Sequence, residues 1–337
     1  MVQQTTIVDE VPGWLRVYED GSVDRTWTGP PEAKFMAEPV PPHEEFIAGV
    51  AVRDIVTDKK SGRRVRIYLP EDVLEADSAK LPVFLHFHGG GFCISQADWF
   101  MYYNTYAKLV ASARVICVSA YLRLAPEHRL PAAMEDGYAA LEWLSSVARG
   151  ESHEPWLEER ADFTRVFLIG DSSGGNVVHE VARRAGEAEG LGPVRLAGAI
   201  PIHPGFVRSE RSRSELEQPE TPFLNRAMLD KFLSLGLPMG STKDHPITCP
   251  MGPGAAPMEG LRLPPLLLCV AEKDLVVDTE MEYYEAMKAA NKEVELLVSR
   301  GMTHSFYLNK MATDTDPDTA AETDRLIAGI TEFIKKH

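Results

Sequence analysis

No stretch of the 337 residues approaches the ~20 consecutive apolar residues that a membrane-spanning helix needs. The opening MVQQTTIVDEVPGW has neither a basic leader nor an apolar run behind it, so no secretory signal is expected. Basic residues are outnumbered: 35 Lys and Arg face 50 Asp and Glu, a net charge of −15 that argues against nucleic acid or an anionic membrane as partner. Cysteine is scarce. The four, at 93, 117, 249 and 269, form no CxxC pair and no Cys/His cluster of metal-ligand spacing, and the acidic clusters show no such spacing either. Free buried thiols in a reducing compartment, no metal and no cofactor are therefore expected. No internal repeat is visible. What remains is an ordinary globular composition, 44% hydrophobic and 25% charged, in a chain long enough for one domain with insertions.

Residues 1–45 differ from the rest. LRVYEDGSVDR reads as a short hairpin turning at Asp20-Gly21. TGPPEAKFMAEPVPP behind it is too proline-rich for regular structure. A wrap or lid over the main domain, 46–337, is expected. From Gly49 the pattern becomes regular. VAVRDIV and RRVRIYL flank DKKSG as an antiparallel hairpin. Then the apolar runs LPVFLHF, RVICVSA, RVFLIG, VRLAGAIPI, PLLLCVA and VELLV alternate with helical patterns near 97–113, 131–144, 172–186, 279–290 and 318–336. Such alternation means an α/β fold: a mostly parallel sheet with helices on both faces and an antiparallel N-terminal edge. Residues 209–260 break the rhythm between two strands, as a helical cap over the C-terminal sheet edge does. The acidic stretch DTDPDTAAETD reads as a solvated loop before the last helix.

Chemistry concentrates at that edge. Gly170-Asp171-Ser172-Ser173-Gly174 fits G-x-S-x-G and runs from the strand RVFLIG straight into a helix, the setting of a nucleophile elbow. Ser172 is the candidate nucleophile. Small residues two before and two after it avoid collision across a sharp turn. The new helix directs its unpaired N–H groups at the reacting oxygen. His88-Gly89-Gly90-Gly91-Phe92 ends an earlier strand. Attack on a carbonyl creates an oxyanion that needs preorganised donors, and glycines leave their N–H groups accessible. Two of Gly89, Gly90 and Gly91, with the N–H of Ser173, make the candidate oxyanion hole, and His88 reads as an anchor of the loop. Among ten histidines, only His304 and the terminal His337 follow the strand VELLV. His304 is therefore the candidate base. His179, two turns into the elbow helix, faces elsewhere, and His86 within its strand reads as a core or supporting residue. Asp274 and Asp278 compete for the acid after PLLLCVA. Asp274 lies nearer the strand end, whereas Asp278 reads as the cap of the next helix, so Asp274 is assigned. The chain order Ser172, Asp274, His304 is that of α/β-hydrolases. Phe92, Phe206, Phe223, Leu224, Leu275 and Phe306 are candidates for lining a substrate pocket.

HGGGF together with GDSSGGN resembles the plant carboxylesterases of the hormone-sensitive-lipase-like class, and the resemblance covers nearly the whole chain, from GWLRVYEDGSVDRTW to HSFYLNK. Within it, FHGGGFCISQADWFMYY, IPIHPGFVRSERSRSELEQ and HSFYLNK are most similar to members that degrade strigolactones. The resemblance implies a cytosolic or nuclear, cofactor-free esterase without an obligatory protein partner. Its implied substrate is a small-molecule ester, a butenolide joined through an enol ether and opened at the ring carbonyl. Two related functions on this fold differ at single residues. Hormone-receptor members lack the histidine found here as His304, and dehydratases or cyclases often carry threonine in place of Ser172. The chain departs from the class in two places. Tyr121-Leu122-Arg123-Leu124-Ala125-Pro126-Glu127 stands where many members have Y-R-L-A-P-E, so the tyrosine faces the other side of its strand and support of the glycine loop is expected to differ. Thr303 stands where glycine commonly precedes the histidine, which bears on the mobility of that loop.

Overall fold

The structure, a computed structural model, describes residues 6–71 and 80–337. In chain order it has β1 (Ile7–Val11), β2 (Leu15–Tyr18), β3 (Val23–Asp24), β4 (His43–Ile47), β5 (Val50–Asp58), β6 (Arg63–Pro70), β7 (Leu81–Phe87), α1 (Phe100–Ala113) and β8 (Ile116–Ala120). There follow α2 (Ala132–Ala148), α3 (Pro155–Arg160), β9 (Ala161–Asp171), α4 (Ser173–Glu187), β10 (Leu196–Ile202), α5 (Arg213–Glu217) and α6 (Arg226–Gly236). The chain ends with β11 (Leu266–Ala271), α7 (Val277–Ala289), β12 (Val294–Ser299), α8 (Lys310–Thr315) and α9 (Pro317–Lys336).

The apolar runs line up as a nine-stranded sheet in the order β12-β11-β10-β9-β7-β8-β6-β5-β4. β7 to β12 are parallel, and β6, β5 and β4 form the antiparallel edge. Side chains of β7 alternate between two cores. Val83, Leu85 and Phe87 pack with α2, α4 and α7, whereas Phe84 packs with α1 and α9. All four are fully buried, and each such burial stabilises by about 1.5–3 kcal/mol. After β7 the chain goes through α1 to β8 on one side and then returns to β9 on the other. Register pairs Phe87 with Gly170 and Ala271 with Ser299, so the parallel strands end level and their following loops meet at one edge.

Residues 209–260 hold α5, α6 and a 3-10 turn, Met258–Gly260. β1, β2 and β3 form a separate small sheet. Its Val11 and Leu15 pack against Met228, Phe232 and Leu235 of α6 and against Cys93 and Ile94 behind the glycine loop. Arg25 ties it further, donating to the Cys93 and Ala125 carbonyls at 2.6 and 2.8 Å. Of the 1–45 segment, residues 1–5 lie outside the described residues. β4, spanning the 45/46 boundary, belongs to the large sheet.

Two expectations are corrected. The proline-rich stretch is not wholly irregular, because Pro31–Ala37 is a 3-10 helix: proline at its start lacks only an N–H that would have no partner there. The acidic stretch is no loop. α8 ends at Thr315, and Asp316 caps α9 by accepting from the Thr319 N–H at 3.2 Å, with Pro317 in the first turn. The four cysteines are free and buried. Among the described residues no helix is long and apolar enough to cross a membrane.

Candidate active site

β9 passes into α4 through Ser172, whose φ of 53° and ψ of −120° lie where residues with a Cβ rarely sit. The surroundings hold this turn. Ser172 N–H donates to the Ile202 carbonyl at 2.9 Å, and its own carbonyl accepts from Gly175 and Gly205 at 2.8 and 3.1 Å. A Cβ on Gly174 would stand 2.0 Å from the Phe87 carbonyl oxygen, and one on Gly170 2.4 Å from the Gly174 oxygen. Only glycine fits at either place.

Three loops from three strand ends then converge. Ser172 Oγ lies 2.9 Å from His304 Nε2, and His304 Nδ1 lies 2.6 Å from Asp274 Oδ2. Asp274 is fully buried, and its Oδ1 accepts the Val276 N–H at 3.1 Å. Burial pushes its carboxyl up. The charge and hydrogen bond of His304, the nearby His203 and the Val276 N–H outweigh that and hold it below the usual carboxylate range. An ionised Asp274 makes Nδ1 the donor, which leaves Nε2 free to accept the Ser172 proton. Asp278 is elsewhere. It sits inside the first turn of α7 instead of capping it, because its Oδ2 is engaged by the Ser214 N–H at 2.7 Å and so pins α5 to α7.

The glycine loop lies against the same serine. Gly89 N–H is committed, donating to Tyr102 Oη at 3.0 Å, and its carbonyl accepts from Ser95 Oγ at 2.7 Å and His88 Nδ1 at 2.9 Å. The N–H groups of Gly90, Gly91 and Ser173 find no acceptor among the described residues. Gly90 and Gly91 have φ of 101° and 59°, a conformation that suits glycine. Of the three glycines, then, Gly90 and Gly91 keep free donors. His88 is buried and held neutral, with burial lowering its pKa to about 4, and it braces the loop.

Support of this loop comes from α1. Tyr121, the displaced tyrosine, follows the end of β8 and donates to Asp54 Oδ1 of β5 at 3.0 Å. Below the serine, buried Asp171 gathers His86 Nε2 at 2.8 Å, Tyr106 Oη at 2.9 Å and Tyr307 Oη. One carboxylate thus joins β7, β9, α1 and the segment after His304. Sequence reasoning missed Tyr102, Tyr106 and Tyr307. The signal available for the first two was a pair of tyrosines one helical turn apart, just behind the glycine loop.

A cavity of about 70 Å³ lies over Ser172. Of the expected lining residues, Phe92, Phe223 and Leu224 face it. Three others do not. Phe206 is fully buried with its ring 4.6 Å from that of Tyr283. Leu275 is buried beside the Asp274 turn, its carbonyl taken by Ser214 Oγ at 2.8 Å. Phe306 lines a neighbouring groove, because the chain turns at Ser305 in the left-handed region and carries Phe306 past the cavity. Unforeseen walls are Trp14 from the N-terminal sheet, Met101 and Tyr102 of α1, Leu229, Phe232 and Leu233 of α6, and Leu308. The cap and the N-terminal segment supply walls that no local motif marks. His203, Asp274 and His304 each bring a metal-ligating atom within 4.8 Å of the others, but His304 and Asp274 are bonded to each other and His203 Nδ1 accepts the Ser305 N–H at 2.9 Å.

Comparison with known proteins identifies the family. Residues 84–308 match a family model described as the alpha/beta hydrolase fold. The chain is 34% identical to the probable carboxylesterase 6 of Arabidopsis thaliana, over 95% of this chain and 91% of that one. It is 36% identical to the chloroplastic tuliposide A-converting enzyme 1 of Tulipa gesneriana, over 91% and 74% of the two chains. It is also 36% identical to the 2-hydroxyisoflavanone dehydratase of Glycyrrhiza echinata, over 92% of each. The chain belongs to the α/β-hydrolase family, in the hormone-sensitive-lipase-like branch with the plant carboxylesterases, and it is a carboxylic ester hydrolase.

Proposed function

We propose that this chain is a serine carboxylesterase that hydrolyses a small-molecule ester through Ser172, His304 and Asp274, with a strigolactone-type butenolide as its substrate. The observation that carries the mechanism is the unbroken run from Asp274 to His304 at 2.6 Å and on to Ser172 at 2.9 Å, beside free N–H groups. His304 Nε2 takes the hydroxyl proton as Ser172 Oγ attacks the ester carbonyl. The oxyanion accepts from Gly90, Gly91 and Ser173. Asp274 stabilises the imidazolium without taking its proton. His304 then protonates the leaving oxygen and afterwards activates water to release the acyl group.

The butenolide rests on sequence resemblance alone, so it needs its own test. Strigolactone analogues and simple acetate esters are offered to the wild type and to Ser172→Ala. Faster turnover of the analogues, lost in the variant, supports the reading. Turnover of acetates with none of the analogues removes the butenolide and leaves the esterase. Tight binding of an analogue without turnover points to a hormone receptor.

A dehydratase reading is favoured by the relative that bears that name. It predicts loss of water from a hydroxylated substrate without an acyl-enzyme. Residues 1–45 act in our reading as a lid, supported by Trp14 in the cavity wall and its stack on Trp99 at 6.2 Å. Trp14→Ala is expected to change KM, and unchanged KM and kcat would reduce the segment to a passive wrap. The proposed compartment is the cytosol or nucleus, and a full-length fluorescent fusion found in plastids would overturn it.

A further inference from the structure

One buried histidine beside the triad has no step in the reaction. His203 directly follows β10, is fully buried, and sits in the left-handed region with φ of 45°. Among residues with a side chain, asparagine, aspartate and histidine accept that backbone most readily. Its N–H donates to the Cys269 carbonyl of β11 at 2.8 Å, which fixes the residue between two strand ends.

Its ring packs against the segment that carries the base. The ring centroid lies 5.9 Å from that of His304, 5.8 Å from that of Phe306 and 5.5 Å from that of Tyr307. Nδ1 accepts the Ser305 N–H at 2.9 Å. A ring nitrogen that accepts carries no proton, so the proton of the neutral imidazole is on Nε2. Burial lowers the pKa to about 4 and keeps the ring in that neutral form. Nε2 is buried and has no partner among the described residues. An unpaired buried donor costs stability that an apolar side chain would not. The bond to Ser305 is thus the one hydrogen bond of this side chain among the described residues, and it is what calls for a nitrogen here.

Little else holds the turn of the base. Lys273 N–H donates to the Met302 carbonyl at 2.8 Å, just before it. The Thr303 and Ser305 carbonyls accept from the Phe306 and Leu308 N–H groups at 3.3 and 3.0 Å, bonds within the same segment. Among the described residues, the backbone of Thr303, His304 and Ser305 makes one hydrogen bond to another part of the chain, the one to His203. Ser305, next to the base, has φ of 51°, a strained conformation for a residue with a Cβ. From this turn His304 must hold Nδ1 2.6 Å from Asp274 and Nε2 2.9 Å from Ser172 at once.

Resting on the triad reading above, we infer that His203 is a positioning residue for the reaction: through the Ser305 N–H it holds the turn that carries His304. It touches no reacting atom. It acts through the base alone, so its loss changes how fast a bound ester reacts and not how well the ester binds.

The test uses the full chain, p-nitrophenyl acetate, and variants that move the acceptor. The asparagine amide reaches the place of Nδ1 and suits the left-handed backbone, whereas the glutamine amide reaches the place of Nε2. His203→Asn is expected to keep kcat within about ten-fold of wild type. His203→Gln and His203→Leu leave the Ser305 N–H without its acceptor and are expected to lower kcat about 100-fold, the effect of misplacing a reacting group by about 1 Å. KM stays within about two-fold in all three. Melting temperatures show which variants fold. Should neither His203→Gln nor His203→Leu fold, His203→Asn decides alone: activity near wild type supports the role, and a folded variant slowed about 100-fold overturns it. Equal kcat in all three folded variants, or a loss carried by KM, also overturns it. Ser172→Ala in the same assay separates the two levels. Residual hydrolysis there sinks the triad reading and this inference with it. An inert Ser172→Ala beside folded, fully active His203→Gln and His203→Leu sinks the role of His203 alone.

Discussion

Asn in place of Asp274 preserves the shape of the site but reverses one hydrogen bond. Asp274 has two obligations: Oδ1 accepts the Val276 N–H at 3.1 Å and Oδ2 accepts from His304 Nδ1 at 2.6 Å. An Asn side chain has one acceptor oxygen. The backbone N–H of Val276 cannot change its role, so the amide oxygen stays with it and the amide NH₂ faces His304. Nδ1 must then accept, the proton moves to Nε2, and Nε2 can no longer take the proton of Ser172. A wrong tautomer of this kind lowers kcat by about 10⁴-fold, a barrier increase of about 5 kcal/mol. Asp278 provides the control. Its Oδ2 accepts the Ser214 N–H at 2.7 Å, and an Asn oxygen serves there equally well, so kcat of Asp278→Asn stays within about two-fold. Steady-state hydrolysis of a simple acetate ester, with the melting temperature of each variant to show folding, reads both. An Asp274→Asn enzyme within ten-fold of wild type, or an Asp278→Asn enzyme equally crippled, would refute the reasoning.

Tyr102→Phe leaves the buried Gly89 N–H without its acceptor, at a cost of about 1–3 kcal/mol, and loosens the glycine loop. The expected result is a kcat at least about ten-fold lower with KM little changed, and an unaltered kcat would free Tyr102 of this role. Glu280 is fully buried, both its carboxyl oxygens lack a partner among the described residues, and burial, with Asp274 nearby, pushes its pKa well above the usual range. The folded chain keeps this proton where the unfolded chain has lost it, so stability falls as pH rises above the unfolded value of 4.5. Glu280→Met is therefore expected to gain about 1–3 kcal/mol at pH 8 and little at pH 4, read by urea midpoints. His88, His179 and His203 are buried, and desolvation lowers each from 6.5 to about 4. The unfolded chain takes up these protons before the folded chain does, so stability is undiminished above pH 6.5 and falls as pH drops from there toward 4. A urea midpoint that holds steady across that window would contradict this.

What could be read from sequence follows how local each signal is. Ser172 was legible because the elbow is local: a strand, a turn flanked by glycines and a helix occupy neighbouring residues. His304 followed from chain order, since one loop after the last strand reaches the edge. Asp274 and Asp278 are four residues apart around the start of α7, and only the three-dimensional fold separates the one beneath His304 from the one that holds α5. The pocket was the least legible part. Phe206, Leu275 and Phe306 are as apolar as Phe92, Phe223 and Leu224, and apolar character does not say which way a side chain points. Trp14 is 158 positions from Ser172 in the sequence, and its place in the cavity wall depends on how a small sheet docks on α6. Tyr307 at Asp171 depends in the same way on tertiary folding. The acidic stretch before the last helix carries a solvated-loop composition, yet Asp316 and Pro317 form a helix-start pattern within it that outweighs the charge.

The most direct test of the account is covalent. A fluorophosphonate presented to the full chain should add one mass increment per molecule, carried by the peptide that contains Ser172 and absent from Ser172→Ala, with ester hydrolysis lost in step with labelling. An unlabelled protein that still hydrolyses esters, or a label that persists in Ser172→Ala, would contradict it.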